Sequence, residues 1–319
     1  MRQYLIRRLL MIIPTLVLVS FMVFLSLRLL PGNMIDVMIA EMGGSGSTVA
    51  VDRDVLIHEL GLDVPVHIQY GKWLWGIFRG DFGSSLLTHM PAMDLILERL
   101  PISLELGIVA ILFTIILSIP LGVWSAIRQD TLGDYVGRSI SIALIAVPGF
   151  WIGTMIMVYP SIWWNWSPSI EYISFFQNPI ENLKMFALPA FIIGMTSAGG
   201  MMRWVRTMML ETLRQDYIRT AWSKGLTERV VIFRHALKNS LIPVITIFGY
   251  QIPLLVGGSV IIEQIFSLPG IGRLMLDSLI KRDYTIVAAI NMFIALVVLS
   301  TNIVVDIAYG WLDPRVKYK

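Results

Sequence analysis

An all-α membrane protein with six transmembrane helices is the architecture this sequence predicts, and three observations carry it. The 319 residues are 56% hydrophobic and only 15% charged, with a mean hydropathy of +0.72, far more apolar than a soluble domain of this size. Apolar runs at 9–30, 101–127, 140–160, 186–205, 241–266 and 286–309 are each long enough, at ~1.5 Å rise per residue, to cross roughly 30 Å of hydrocarbon. Between the fourth and fifth lies a basic, Gly-interrupted stretch, 210–243, too polar to cross a bilayer and too regularly patterned for an idle loop.

The first run follows a basic start, Arg2, Arg7 and Arg8. It is longer than a signal-peptide core, and no small-x-small cleavage pattern precedes Pro31-Gly32, so a retained anchor with its N-terminus inside is expected. Residues 31–99 form the longest polar stretch. The Gly/Ser patch at 43–47 reads as a mobile loop, and 52–60 and 66–78 as short helices with apolar faces. Trp73 and Trp75 suit interfacial anchoring or, alternatively, a ligand platform.

The remaining spans are interrupted. Pro101 and Pro120 fall in the second, Pro148-Gly149 in the third, Pro189, Gly194 and Gly199-Gly200 in the fourth, and Pro243, Gly249, Pro253 and Gly257-Gly258 in the fifth. Proline removes a helix hydrogen bond and glycine permits close backbone approach, which suits either ordinary helix packing or a bundle that moves. Glu105, Glu263, Asp306 and Arg28 are the charges within the spans, and their places near span ends point to the interface or a pore mouth rather than a midplane proton relay. Tyr250, Gln251, Ser259, Asn291 and Asn302 are polar residues that line a path or bridge helices. Among the methionines clustered around the fourth span, Met195, together with Ser197, is the better wall candidate.

Six spans put both termini on one side. With that topology, three Lys/Arg at the N-terminus, two within 128–138, eight within 203–238 and three at the C-terminus share a face, while four of the other nine lie in the long first loop, where the charge rule is weak. The stretch 210–243 is therefore expected on the cytoplasmic side. Within it, 215–224 carries good helix formers and stops at Gly225, Thr227 is placed to cap a second helix, and Val230, Val231, Phe233 and Leu237 give that helix an apolar face opposite Arg229, Arg234 and Lys238. Charge alone also fits a segment resting on anionic headgroups.

The order of residues says more. Tyr217-Ile218-Arg219-Thr220-Ala221-Trp222-Ser223-Lys224-Gly225-Leu226, followed by 234–243, resembles the cytoplasmic coupling loop of ATP-binding-cassette importer permeases, most closely the oligopeptide/dipeptide/nickel branch. Of the superfamily's Glu-Ala-Ala…Gly…Ile-x-Leu-Pro pattern, Ala221, Gly225 and Leu237 keep their positions; Arg219, Thr220, His235 and Lys238 depart from it as that branch does. Gly80-Asp81-Phe82-Gly83-Ser84, Glu263–Gly272, Arg282-Asp283-Tyr284 and 305–315 extend the resemblance over nearly the whole chain.

The resemblance implies the type I ABC permease fold, with an extracytoplasmic region between helices 1 and 2. The expected organisation is a cytoplasmic N-terminus and first helix at 1–30, an extracytoplasmic region at 31–99, a five-helix core at 100–310 with its coupling loop at about 210–240, and a cytoplasmic tail at 311–319. It also implies that Asp216, Tyr217, Arg219, Thr220, Ala221, Lys224, Gly225, Leu226 and Glu228 engage an ATPase. The partners it implies are a second permease, two ATP-binding-cassette subunits, an extracytoplasmic substrate-binding protein and membrane lipid, in a bacterial or archaeal plasma membrane. Short peptides are the implied cargo, with nickel chelates or other small solutes as the alternative; a non-ATP secondary transporter is the competing class. Catalytic motifs are lacking: the sequence has no Gly-x-x-x-x-Gly-Lys-Ser/Thr phosphate loop, no Gly-x-Ser-x-Gly, no His-Glu-x-x-His and no cysteine, and its four histidines show no metal-ligand spacing. The chain is thus expected to be no enzyme by itself and to hold no cofactor or metal, with ATP and Mg on the partner subunits. A net charge of +3 does not call for nucleic acid.

Overall fold

The computed structural model describes residues 2–29, 63–168, 172–257 and 259–312. The expected helix at 52–60 and the Gly/Ser patch at 43–47 lie outside them. Among the described residues five helices are long and apolar enough to cross a membrane, and a sharply bent pair, counted as one span, gives a sixth. The chain divides into two compact units.

The first unit contains α1 (Arg2–Leu29), α2 (Val66–Phe78), the start of α3 (Ala92–Ile127), α11 (Ile271–Ile280) and the first part of α12 (Tyr284–Leu312). Helix α2 has the bounds its apolar pattern predicts and lies against the end of α1. Tyr70 reaches Ser20 at 2.9 Å and donates to the Val17 carbonyl at 3.2 Å, and its ring joins Phe21, Phe24 and Trp73 in an aromatic cluster. Arg28, the charge at the end of the first span, donates to Gln69 and stands over the Phe24 ring at 5.4 Å. Its guanidinium is thereby met by an aromatic face and by an amide oxygen at the end of the span.

Two stretches far apart in sequence meet in this unit. In the loop after α2, Asp81 accepts from the Gly83 amide at 2.8 Å, and Ser85 donates to the buried Asp283 carboxylate at 2.5 Å while accepting from the Leu87 and Thr88 amides. A side chain at Gly83 would meet Thr285 at 2.8 Å. The Gly80–Ser84 and Arg282–Tyr284 motifs are therefore one structural feature.

The second unit holds the rest of α3 and α12, with α4 (Leu132–Ala146), α5 (Gly149–Trp164), α6 (Pro179–Leu213), α7 (Asp216–Ser223), α8 (Glu228–Val230), a π-helical turn Val231–Leu237, α9 (Lys238–Gly257) and α10 (Val260–Ile265). Helix α6 starts where Asn178 accepts from the Glu181 amide and Pro179 occupies the first turn, whose amides lack backbone acceptors anyway. One core packs Ile102, Leu106 and Ala110 of α3 against Met185, Phe186, Ala190 and Ile192 of α6, with Ile262 and Phe266. Helices α3 and α6 approach closely there, because a Cβ at Gly194 would stand 2.7 Å from the Ala110 carbonyl; Thr114 donates to the Gly194 carbonyl at 3.2 Å. In lipid, where tails are as apolar as leucine, such backbone proximity supplies the association energy.

Two predicted spans differ from a straight helix. The run at 140–160 is two helices, α4 and α5, bent by 79° at Val147-Pro148. Proline disfavours the helical region for the residue before it, and Val147 is extended, with φ −91° and ψ 118°. The run at 241–266 is likewise α9 and α10, separated around Ser259, which is non-helical. Glu263, expected near the interface or a pore mouth, is fully buried on α10 and accepts from Ser103 at 2.9 Å and Ser259 at 2.7 Å. A carboxylate inside an apolar unit needs such donors, and α3 supplies one of them.

Candidate functional site

The stretch between α6 and α9 is a compact helical elbow. Helix α6 runs without interruption to Leu213, and α7 begins shortly after it, at Asp216. Ile218 and Ala221, three positions apart on α7, are its buried residues, and they sit in a second core with Val123 and Ala126 of α3, Val205 and Met209 of α6, Val231, Ile232 and Ala236 of the π turn, and Val244 of α9. Full burial of Ile218 alone is worth about 1.5–3 kcal/mol by area, and this apolar floor holds α7 in place.

The opposite face of α7 is polar and outward. Asp216, Tyr217, Arg219, Thr220 and Lys224 are exposed, as are Gly225 and Glu228, while Leu226 is half-buried against the floor. Arg219 and Asp216 lie 3.4 Å apart, but both are almost fully solvated and their pairing contributes little. Tyr217 accepts from Asn239 at 3.0 Å, joining α7 to the start of α9. Gly225 ends the elbow's first helix with φ +71°, the left-handed value its position predicts. Thr227 occupies the N-cap position of α8 but makes no side-chain cap bond; its carbonyl accepts from the Val231 amide. The second helix is also not separate, since its π turn continues directly into α9. Such wide turns in helices recur at functional sites.

Directly before the elbow, α6 is fixed by a polar hub that helical periodicity does not reveal. Asp134, fully buried on α4, receives Arg206 Nε at 2.8 Å and Nη2 at 2.7 Å, Arg138 Nη2 at 2.6 Å, Ser125 Oγ at 2.6 Å and the Asp130 amide at 3.0 Å. The fork of Arg206 matches the carboxylate in two parallel bonds, the stronger form of charge-assisted pairing. The hub joins α3, α4 and α6. The sequence does carry a signal for it: Asp134 and Arg138 lie four apart, and Arg206 falls at the end of the fourth apolar run.

The residues expected along a path divide between the units. Met195 and Ser197 are half-buried on α6, Gln251 is half-buried on α9, and Tyr250, exposed, donates to Asp306 at 3.3 Å. Ser259 is buried with its hydroxyl on Glu263. Asn291 belongs to the first unit and donates to the Val287 carbonyl of its own helix. Glu105 is half-buried on α3; burial, and then the charge of Glu105, push the Tyr172 phenol above its ordinary pKa. Among the described residues no group of His, Asp or Glu could hold a metal ion.

A helical membrane protein of six spans whose polar elbow is seated on an apolar floor is the class these features define. Two family profiles match the sequence: "Binding-protein-dependent transport system inner membrane component" over residues 118–318, and its N-terminal counterpart, "Binding-prot-dependent transport system membrane comp, N-term", over 1–107. The chain belongs to this family of binding-protein-dependent permeases and is a multi-pass protein of the bacterial inner membrane. It is 39% identical over 318 residues to a peptide transport system permease protein of Brucella abortus (strain 2308), with all of both chains covered. It is similar to the oligopeptide transport system permease protein AppB of Bacillus subtilis (strain 168), 38% identical over 321 residues, and to the dipeptide transport system permease protein DppB of Escherichia coli (strain K12), 33% over 342, again with both chains fully covered. A solved structure described as an amino acid ABC transporter with histidines matches with a TM-score of 0.49 at 11% identity, over 70% of this chain and 95% of that one.

Proposed function

We propose that this chain is one permease subunit of an ATP-driven importer of short peptides, forming half of the path across the inner membrane beside a second, similar permease. Two ATP-binding-cassette subunits, which carry ATP and Mg, dock on the elbow, and an extracytoplasmic binding protein delivers the cargo. The observation that carries the reading is the construction of α7: Ile218 and Ala221 secure it from beneath, so that Asp216, Tyr217, Arg219, Thr220, Lys224 and Glu228 are free to meet a partner. The relatives' names support peptides as cargo, because permeases for oligopeptides and dipeptides match along their full length.

In this reading residues 1–30 form a cytoplasmic start and first helix, 31–99 an extracytoplasmic region, 100–310 the core and 311–319 a cytoplasmic tail. Nucleotide binding closes the ATPase pair, which draws the elbow and the helices attached to it from one arrangement to another; hydrolysis resets them. The permease makes and breaks no bonds. Met195, Ser197, Tyr250, Gln251, Ser259 and Asn291 remain the proposed contacts along the path.

Co-purification tests the docking. The wild-type permease pair is expected to retain its ATPase subunits on a size-exclusion column. Replacing Arg219 and Lys224 together with glutamate is expected to release them while leaving the permease in the membrane. Unaltered retention in that variant sinks the elbow as docking site. Uptake of labelled di- and tripeptides against nickel chelates into proteoliposomes, with the cognate binding protein, decides the cargo.

A further inference from the structure

The helix preceding the 79° bend is built inside out. On α4 the residues buried within the chain are Asp134, Gly137 and Ser141, at spacings of three and four, and none is a large apolar side chain. Most of its apolar residues, among them Leu132, Val136, Ile140 and Ile142, are exposed, while Leu144 and Ile145 come against α6 at Gly199, where an added Cβ would meet them at 3.0 and 2.8 Å. Every inward position is used for close or polar contact with α3 and α6. A Cβ at Gly137 would stand 3.1 Å from Ser125 and 3.2 Å from Met202, Ser141 donates to the Gly199 carbonyl at 2.6 Å, and a Cβ at Gly199 would meet the Ser141 carbonyl at 2.8 Å. At the elbow end of this seam stands the Asp134 hub, where Arg206 of α6 contributes two of the five donors.

From this arrangement we infer that Asp134 and Arg206 are positioning residues for coupling: they make α4 move with α6, so that a displacement of the elbow reaches the bend at Val147-Pro148. This rests on the docking reading above. The physical ground is that α4 has no fully buried apolar side chain: its apolar contact with α6 by Leu144 and Ile145 is at Gly199, toward the bend, and at the elbow end the hub joins it to α6. Helix α6 by contrast is continuous with the elbow and shares its apolar core through Val205 and Met209. Loss of the hub leaves the drive to α6 intact and releases the helix that leads into the bend.

The test uses the complete transporter in proteoliposomes. The chain has no cysteine, so spin labels at Ile142→Cys on α4 and Thr207→Cys on α6, both exposed, report one distance cleanly. Without the hub change, that distance is expected to stay narrow with and without ATP plus vanadate. With Asp134→Asn it broadens, peptide taken up per ATP hydrolysed falls at least tenfold, and ATPase subunits stay bound with basal hydrolysis within about twofold of normal. A narrow distance and normal uptake per ATP in Asp134→Asn overturn the inference. Arg206→Lys, which keeps the charge and loses the fork, carries the same comparison if Asp134→Asn does not reach the membrane. Should the wild-type permease fail to retain ATPase, the docking reading falls, while the α4–α6 distance still reports on the seam.

Discussion

The contact between α9 and α12 in the second unit makes a sharp prediction. An alanine Cβ at Gly249 would lie 2.4 Å from Val305 Cγ2 and 3.1 Å from its Cγ1. Carbon atoms at their best separation are about 3.5–4.0 Å apart, so the shortfall exceeds ~1 Å. Val305 cannot swing aside cheaply, since a β-branched side chain in a helix holds one χ1 rotamer in about 90% of cases, and it is buried. Gly249→Ala must then part the two helices, at the ~1–3 kcal/mol typical of overpacking. Val305→Ala alone removes two packed methyls, a loss of roughly 1–2 kcal/mol on the scale of small core truncations. Together the substitutions fit, because the new methyl enters the space the valine vacates. The double variant is therefore expected to be at least ~1 kcal/mol more stable than the sum of the singles. Unfolding followed by tryptophan fluorescence in detergent reads this as about 2–4 °C of recovered melting temperature. A Gly249→Ala protein that melts with the wild type, or a double variant no better than the worse single, refutes the packing argument.

Three further outcomes are expected. At Gly225, where φ is +71° and an added methyl would have nothing within 4 Å of it, alanine costs about 1–2 kcal/mol of backbone strain while asparagine is tolerated, so stimulated ATP hydrolysis should rank Gly, Asn, Ala; equal rates for all three contradict the strain account. Ser85→Ala removes a donor to the buried Asp283 and an acceptor for two amides, at roughly 1.5–3 kcal/mol, and should expose the loop after α2 to protease at least tenfold faster; an unchanged cleavage rate would show that the 2.5 Å bond does not hold the loop. Trp163, Trp164 and Trp166 are exposed at the end of α5 beside Tyr159, and tryptophan prefers the headgroup level. Lipids brominated near the headgroup should therefore quench fluorescence more than lipids brominated at the chain ends, and replacing the three by phenylalanine should reduce that difference; an unchanged difference would place them elsewhere.

The spans are legible in the sequence because apolar length is a nearly unambiguous signal in lipid, and α2 because its apolar residues recur at helical spacing over residues that need no partner to declare themselves. Gly225 and the face of α7 are legible for a similar reason: a left-handed helix end and a polar stripe are local facts. Continuity is not. Composition does not distinguish an apolar run that bends at Val147-Pro148 from one that passes straight through, since proline inside a membrane helix is tolerated elsewhere in this chain, at Pro160 and Pro189. The difference lies on the far side of the bend: Val147 is extended and α5 makes a new start, with its one buried residue, Gly153, close to Ile262, Ile265 and Phe266. The position of Glu263 escapes the sequence for a related reason, because its distance from a span end says nothing of Ser103, 160 residues away.

The Asp134 hub shows why the elbow end of the molecule is harder to read than its spans. Periodicity locates the inward face of a helix by its apolar residues, and for α4 that rule points the wrong way: most of the apolar residues are exposed and the fully buried stripe is Asp, Gly and Ser. In water such a helix would turn over. In a bilayer the reversal is stable, because lipid accepts Ile140 and Ile142 at no cost, whereas Asp134 has five donors only on the inner side. A carboxylate and an arginine that flank different apolar runs of one membrane chain are accordingly better read as partners than as separate ends of spans. Here that pairing sits where α6 leaves the bundle for the elbow, so the element that resists sequence reading is the one on which the proposed coupling of α4 to α6 rests.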